Sequence, residues 1–336
     1  MANRKKEIKA IRVNQKTREV IVYAKSIDNE QQEKEIKIMI QEGKVSFQGY
    51  QTYYRIVNPE GKNIPLLLLH GGPGSTHNSF EVLDSLAYES DRPLIMYDQL
   101  GCGESSLCAS HPDLWTMDTW IDELINLREK LKLEKIHLLG HSFGGMLLLS
   151  YLVERKPKGI ASIILSSTLS SSSLWREETH RLVNLLPDFE RQTIVTCEAM
   201  ESYSSLEFQL AVKHYSEKFV FSDPGKEGPE CLHRKKVFGK ESYETAWGPC
   251  EFSPTGTLKD YDVTSYLSNI TCPTLLLSGV NDESTPLQNK VMYDALTCEK
   301  KWVLFQKSRH MSYYEENEKY QKTVADFLTQ VEHQHE

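Results

Sequence analysis

From residue 64 onward the chain alternates short apolar runs with amphipathic stretches. Ile64–Leu69, Leu94–Tyr97, Ile136–Leu139 and Ser162–Leu165 are short and nearly unbroken in apolar character. Glycine-rich turns follow the first three, and helical periodicity appears around Phe80–Tyr88, from about Met117 to Leu131, and beyond Gly145 through Val153. Strands that do not alternate are buried on both faces, so this rhythm predicts a mostly parallel sheet covered by helices on both sides. The rhythm stops at Ser166-Ser167-Thr168-Leu169 and the serines 170–173. Residues from about 174 to 262 are helical in pattern, rich in charge and aromatics, and hold no comparable strand. The strand–helix order then resumes with Thr274–Ser278, a helix near Leu287–Leu296, the strand Trp302–Phe305 and a terminal helix Glu318–Val331. Upstream, Val45–Val57 favours strands broken at Gln48-Gly49, a hairpin expected at the sheet's antiparallel edge. Residues 1–43 are polar and charge-dense, with only Ile36–Ile40 alternating as a strand would. The division expected is a loosely attached extension (1–43), a first core segment (44–167), a helical insertion (168–264) and a second core segment (265–336).

Composition narrows the classes without changing this picture. The 336 residues carry 39 Lys+Arg against 47 Asp+Glu, a formal charge of −8, with 39% apolar residues. That is an ordinary globular balance, and the acidic excess, with no basic stripe interleaved with aromatics, excludes a nucleic-acid partner. The basic start MANRKKEIKA is not followed by an apolar stretch, and no run approaches the ~20 apolar residues of a membrane span. Seven cysteines without a C-x-x-C pair argue against a disulfide framework or a zinc site. The expectation is a cytoplasmic protein, neither secreted nor membrane-bound, needing no metal and no cofactor.

The chemistry concentrates in the turns. Gly140-His141-Ser142-Phe143-Gly144 matches G-x-S-x-G between an apolar strand and a helix, which is where that motif works. Its glycines let the backbone turn sharply, so that Ser142 projects above the sheet at a helix N-terminus. A serine hydroxyl is a weak nucleophile and needs a base and an orienting carboxylate, expected after later strands. Asp282 follows Thr274–Ser278, with Glu283 its rival for that role. His310 follows Trp302–Phe305, and the only later histidines, 333 and 335, lie in the polar tail. His141, as Ser142's chain neighbour, is expected to point away from it, and His70 and His137 to be structural. His70-Gly71-Gly72-Pro73-Gly74 follows the first strand, so the N–H groups of Gly72 and Phe143 are the expected oxyanion donors. That loop lacks the lysine and the spacing of a phosphate cradle. Asp98-Gln99-Leu100-Gly101-Cys102-Gly103-Glu104-Ser105 is expected to form a wall of the site, with Cys102 buried and inert.

HGGPG, YDQLGCGES, GHSFGG, NDESTP and SRHM, in this order, resemble the proline iminopeptidase family of α/β-hydrolases, closest in wording to its tricorn-interacting aminopeptidase branch. The resemblance covers about residues 44–330. It implies an α/β-hydrolase fold with an inserted helical cap over the site. It also implies a serine exopeptidase that releases N-terminal residues, proline or other small or apolar ones, from short peptides or amino-acid amides. Cap carboxylates in that family hold the substrate's α-ammonium, and Trp247-Gly248-Pro249-Cys250-Glu251-Phe252 is similar to its WGP-x-EF stretch. Glu251 is thereby implied as an amine anchor, with Glu217 or Glu207 as its partner. His141, Phe143 and Leu100 depart from the GGSWG elbow and the arginine after DQ of many bacterial members, which leaves strict proline preference open.

Two other readings compete. An esterase or thioesterase would use the same three side chains on neutral acyl groups. A non-catalytic ligand receptor would ordinarily have lost one of them. Epoxide hydrolase and dehalogenase chemistry is disfavoured, since it wants aspartate at position 142.

Overall fold

The computed structural model describes residues 7–14, 19–27 and 33–334, with side chains from residue 39. One sheet holds ten strands: β1 (Glu7–Asn14), β2 (Glu19–Ile27), β3 (Glu33–Phe47), β4 (Tyr50–Val57), β5 (Leu66–Leu69), β6 (Leu94–Tyr97), β7 (Ile136–His141), β8 (Ile160–Ser166), β9 (Thr274–Gly279) and β10 (Lys300–Phe305). Their order is β1-β2-β3-β4-β6-β5-β7-β8-β9-β10. From β6 to β10 neighbours are parallel, and from β1 to β6 they are antiparallel.

The short apolar strands lie at the centre because helices cover both faces. Successive residues of β5 point to opposite sides. Leu67 and Leu69 join Trp120, Leu124 and Leu147 of the helices Met117–Lys130 and Phe143–Ser150. Leu66 and Leu68 instead join Phe80, Tyr320, Val324 and Leu328, the last three on the terminal helix Asn317–His333. A strand buried on both faces needs leucine at every position, which is why no alternation marked it.

Between β8 and β9, which are adjacent, the chain leaves the sheet and returns. The excursion contains the helices Ser172–Val183, Asp188–Ala199, Leu206–Phe219 and Lys240–Ala246, and no named strand among its described residues. The first three share a cluster of their own around Leu182, Ile194, Phe208, Tyr215 and Phe252, whereas Ala246 of the fourth joins the main core. A neck closes it: Ser172 N–H donates to Tyr261 O (2.8 Å) and Val263 N–H to Ser170 O (2.9 Å).

The N-terminal segment differs from the sequence expectation. Residue 43 falls inside β3, and the described residues before it extend the sheet by an antiparallel meander in which Val20–Ile27 pairs with Glu33–Ile40. The hairpin β3–β4 is therefore interior, and β1 is the edge. Apolar residues alternate with charges throughout this segment, and the low overall hydropathy of the extension masked that period of two.

Candidate functional site

The C-terminal ends of the parallel strands gather the chemistry at one end of the sheet, where open α/β sheets form clefts. Ser142 follows β7 and precedes the helix Phe143–Ser150, with φ +54° and ψ −124°. A side chain rarely adopts that conformation, and the surroundings enforce it. Ser142 N–H donates to Ser166 O (3.0 Å), while its carbonyl accepts from Gly145 N–H (2.8 Å) and Thr168 Oγ1 (2.7 Å). A Cβ at Gly144 would collide with the Leu69 carbonyl, so only glycine lets this helix start so close to β5. Phe143 opens the helix, and its N–H therefore has no acceptor within it.

The loop after β5 is clamped from below. His70 Nδ1 donates to Gly71 O (2.9 Å), its Nε2 accepts from Gln99 N–H (3.1 Å), and Gln99 Nε2 donates to His70 O (2.9 Å). Burial pushes the His70 pKa down to about 4, so the ring stays neutral and this arrangement is fixed. The clamped backbone presses on the serine: a Cβ at Gly71 would sit 3.4 Å from Ser142 Oγ. Gly72 and Ser142 line one cavity.

His310 follows β10, and its Nδ1 lies 2.7 Å from Asp282 Oδ1 in the loop after β9. The buried carboxylate also accepts from Ser284 N–H (2.8 Å) and Gly279 N–H (3.2 Å), which fixes its orientation. With the Nδ1 proton directed to Asp282, Nε2 is left as the basic nitrogen. Ser142 and His310 line the same cavity of about 410 Å³. His141 lines it too, its ring 4.7 Å from that of His310 and 5.0 Å from Tyr313. His141 is buried against these rings, so it packs at the rim of the site rather than facing solvent. Burial, and then His310, hold the His141 pKa well below the usual range, so it adds no charge.

Two carboxylates face this cavity. Trp175 Nε1 (2.8 Å) and Trp247 Nε1 (3.2 Å) both donate to the Glu251 carbonyl, and Tyr243 Oη donates to Glu251 Oε1 (2.9 Å). Glu283 is 1% exposed, with Oε1 3.8 Å from His310 Nε2; neither carboxylate oxygen has a partner within 3.5 Å among the described residues, though the buried Tyr215 hydroxyl lies beside it. Burial raises the pKa of both, the charges of Glu251 and Asp282 raise that of Glu283 further, and the smaller effect of the Tyr215 hydroxyl lowers it. Among the described residues neither acid has a lysine or arginine within ion-pair distance, so together they could receive a cationic group.

The stretch Asp98–Ser105 is a support rather than a wall of this cavity. Asp98 accepts from His77 N–H (2.9 Å), His77 Nδ1 (2.7 Å) and Glu104 N–H (2.9 Å), and it borders a separate cavity of about 480 Å³. Cys102 is buried, and its thiol pKa is raised well above the ordinary value. His70, Asp98 and Cys102 have ligating atoms within 4.8 Å of one another. Each is already committed, Cys102 Sγ to Gln99 O (3.1 Å), so they do not fit a metal ion.

Residues 64–317 match the family model described as alpha/beta hydrolase fold. The proline iminopeptidase of Lactobacillus helveticus (strain DPC 4571) is 49% identical over 289 residues, spanning 86% of this chain and 98% of that relative. The chain belongs to the proline iminopeptidase family. Among solved structures, VinJ is similar at 32% identity and TM-score 0.78, over 86% of this chain and 98% of that one. The Mycobacterium smegmatis proline iminopeptidase is similar at 29% identity and TM-score 0.78, over 88% and 100%.

Within this family member the implied partner of Glu251 is displaced. Glu217 is exposed on the helix Leu206–Phe219, 3.6 Å from Lys213, and Glu207 is exposed on the same helix. Both occupy the helix's solvent face, four residues or fewer from exposed charges, whereas Phe208, Ala211, Tyr215 and Phe219 take the buried stripe. The second acid in the cavity is Glu283, which sequence reasoning weighed only as a rival to Asp282. Its adjacency to Asp282 in a loop was the available signal, because neighbours in a turn can diverge into two roles. No described helix is long and apolar enough to cross a membrane.

Proposed function

We propose that this chain is a serine exopeptidase that releases the N-terminal residue, proline or another small apolar one, from short peptides and amino-acid amides. Ser142 attacks the carbonyl of the first residue while His310 Nε2 takes its proton, and Asp282 stabilises the imidazolium. The N–H groups of Gly72 and Phe143 receive the oxyanion. His310 then protonates the leaving amine, the acyl-enzyme forms, and water activated by the same ring releases the amino acid. Residues 168–264 serve as the cap that encloses the substrate.

The observation that carries this reading is the placement of Glu251 and the unpartnered Glu283 in the cavity that holds Ser142 and His310. An α-ammonium bound between them leaves only the first carbonyl within reach of the serine. A prolyl ammonium offers two N–H donors, one for each carboxylate. The same acids count against neutral acyl substrates, since buried carboxylates left unpaired are costly. Prolyl anilide should therefore be hydrolysed, its N-acetyl form spared, and Ser142→Ala inert yet folded. Equal rates on free and acetylated substrates would favour an esterase, and unchanged turnover in Ser142→Ala would refute the mechanism.

A further inference from the structure

The substrate cavity carries a cation that the exopeptidase reading does not use. Lys236 borders the cavity of Ser142 and also the neighbouring one lined by Asp98 and Arg234, so it stands where the two meet. It rides on a strap fixed to the catalytic loops: Gly103 N–H donates to Val237 O (2.8 Å) and Gly239 N–H to Gly74 O (2.7 Å). The strap therefore crosses the loop that carries Gly72, and Gly74 must be glycine because a Cβ there would strike the Gly239 carbonyl. Arg234, two residues earlier, is spent on Glu81 (2.9 Å) and Glu230. Among the described residues Lys236 has no carboxylate within ion-pair distance.

Its surroundings set it apart from the amine-binding acids. Lys236 is exposed at the rim; the protein packed around its stem lowers its pKa, and the groups acting on it are Cys231, Arg234, Asp223 and Glu81. Glu251 and Glu283 act instead on each other and on His310. The cavity thus has an anionic end, a nucleophile, and a cation held by a different element. A short peptide has the matching pattern: an ammonium at one end, a carboxylate at the other, and the first peptide bond near the ammonium.

We propose that Lys236 binds the C-terminal carboxylate of the substrate, which makes di- and tripeptides with a free C-terminus the preferred class; this rests on the exopeptidase reading. An ammonium paired with a carboxylate at an exposed rim favours binding modestly, and the effect is weakened by salt. The catalytic step is unaffected, because the contact is the same in ground and transition states.

The test compares Pro-Ala with Pro-Ala amide, with prolyl anilide as the reference for the catalytic centre. In the native enzyme kcat/KM for the free acid should exceed that for the amide by roughly three- to fivefold at low salt, with the difference in KM. Lys236→Ala should collapse that ratio to near one, Lys236→Glu should invert it, and Lys236→Arg should restore most of it. A native enzyme indifferent to amidation, or a Lys236→Ala variant that keeps the ratio, overturns the assignment. Absence of prolyl anilide turnover by the native enzyme overturns the exopeptidase reading itself, and this proposal with it.

Discussion

Glu283→Gln separates a binding role from a structural one, because the two predict opposite signs. The substitution keeps the side chain's volume and removes its charge. Glu283 is 1% exposed, lies beside Glu251 and Asp282, and has no hydrogen-bond partner for either carboxylate oxygen among the described residues. If it holds the substrate ammonium, losing one member of a buried charge pair costs roughly 2–5 kcal/mol. The lower half of that range corresponds to about a hundredfold fall in kcat/KM on prolyl anilide. In the free protein the sign reverses, since an unpaired buried carboxylate is a burden that glutamine relieves. A gain of about 1 kcal/mol would raise Tm by roughly 2 °C in a chain of this size.

The pH dependence follows from the same shift. The folded-state pKa of Glu283 lies well above the ordinary carboxylate value, so over that interval the folded protein binds more protons than the unfolded chain. Native stability therefore falls as pH rises through the interval, and the glutamine variant lacks that slope. The stability advantage of Glu283→Gln should be small near pH 4 and larger at pH 8, read by calorimetry beside the kinetic assay. A variant that melts several degrees lower, or that keeps native kcat/KM on prolyl anilide, would show that Glu283 holds the fold rather than the substrate.

Two further outcomes test the supports of the site. Gly144→Ala places a methyl group against the backbone carbonyls of Leu69 and His70, which cannot yield independently. It should cost about 3 kcal/mol and lower Tm by at least 5 °C in thermal unfolding, and a Tm within 1 °C of native would contradict the close-packed elbow. Glu332 accepts from Arg92 (3.0 Å to each oxygen) and lies 3.2 Å from His137 Nε2, tying the terminal helix to the sheet, and its pKa is lowered to about 2. That tie contributes about 2 kcal/mol above the ordinary carboxylate pKa and is lost as pH falls toward 2, so native and Glu332→Gln denaturation midpoints should differ at pH 7 and converge in acid.

The core was legible because burial on both faces leaves an unmistakable trace. Leu66–Leu69, Leu94–Tyr97 and Ile136–Leu139 are strands for the same reason that they are unbroken apolar runs. Ser142, Asp282 and His310 were legible because turns after parallel strands are where such a sheet presents side chains, and the order of residue types left few candidates. What stayed hidden depends on the direction a loop residue takes. Nothing periodic distinguishes Asp282, which turns to His310, from Glu283, which turns into the cavity. Asp98 was misplaced on the same ground. Glu217 shows the converse, since its helical register already placed it away from Tyr215 and Phe219 on the buried stripe. The N-terminal strands were obscured by charge, which a sheet tolerates on faces that a composition average cannot see.

The two proposed amine anchors have different structural origins, and this bears on how specificity is divided. Glu283 is one residue from Asp282, on the loop that leaves β9, so its position relative to His310 is set by the same turn that orients the base. Glu251 belongs to the excursion between β8 and β9 and is held by Trp175 and Trp247 through its backbone carbonyl rather than its carboxylate. One anchor is thus fixed beside His310, and the other belongs to the excursion between β8 and β9. Changes at Glu251 or Tyr243 alter the amine site from within that excursion, whereas Thr168 and Gly239 tie the same excursion to Ser142 and to the loop of Gly72. Under the proposed mechanism the strand ends hold the acyl-transfer groups and one anchor, so substrate range would change most readily through the excursion that holds the other.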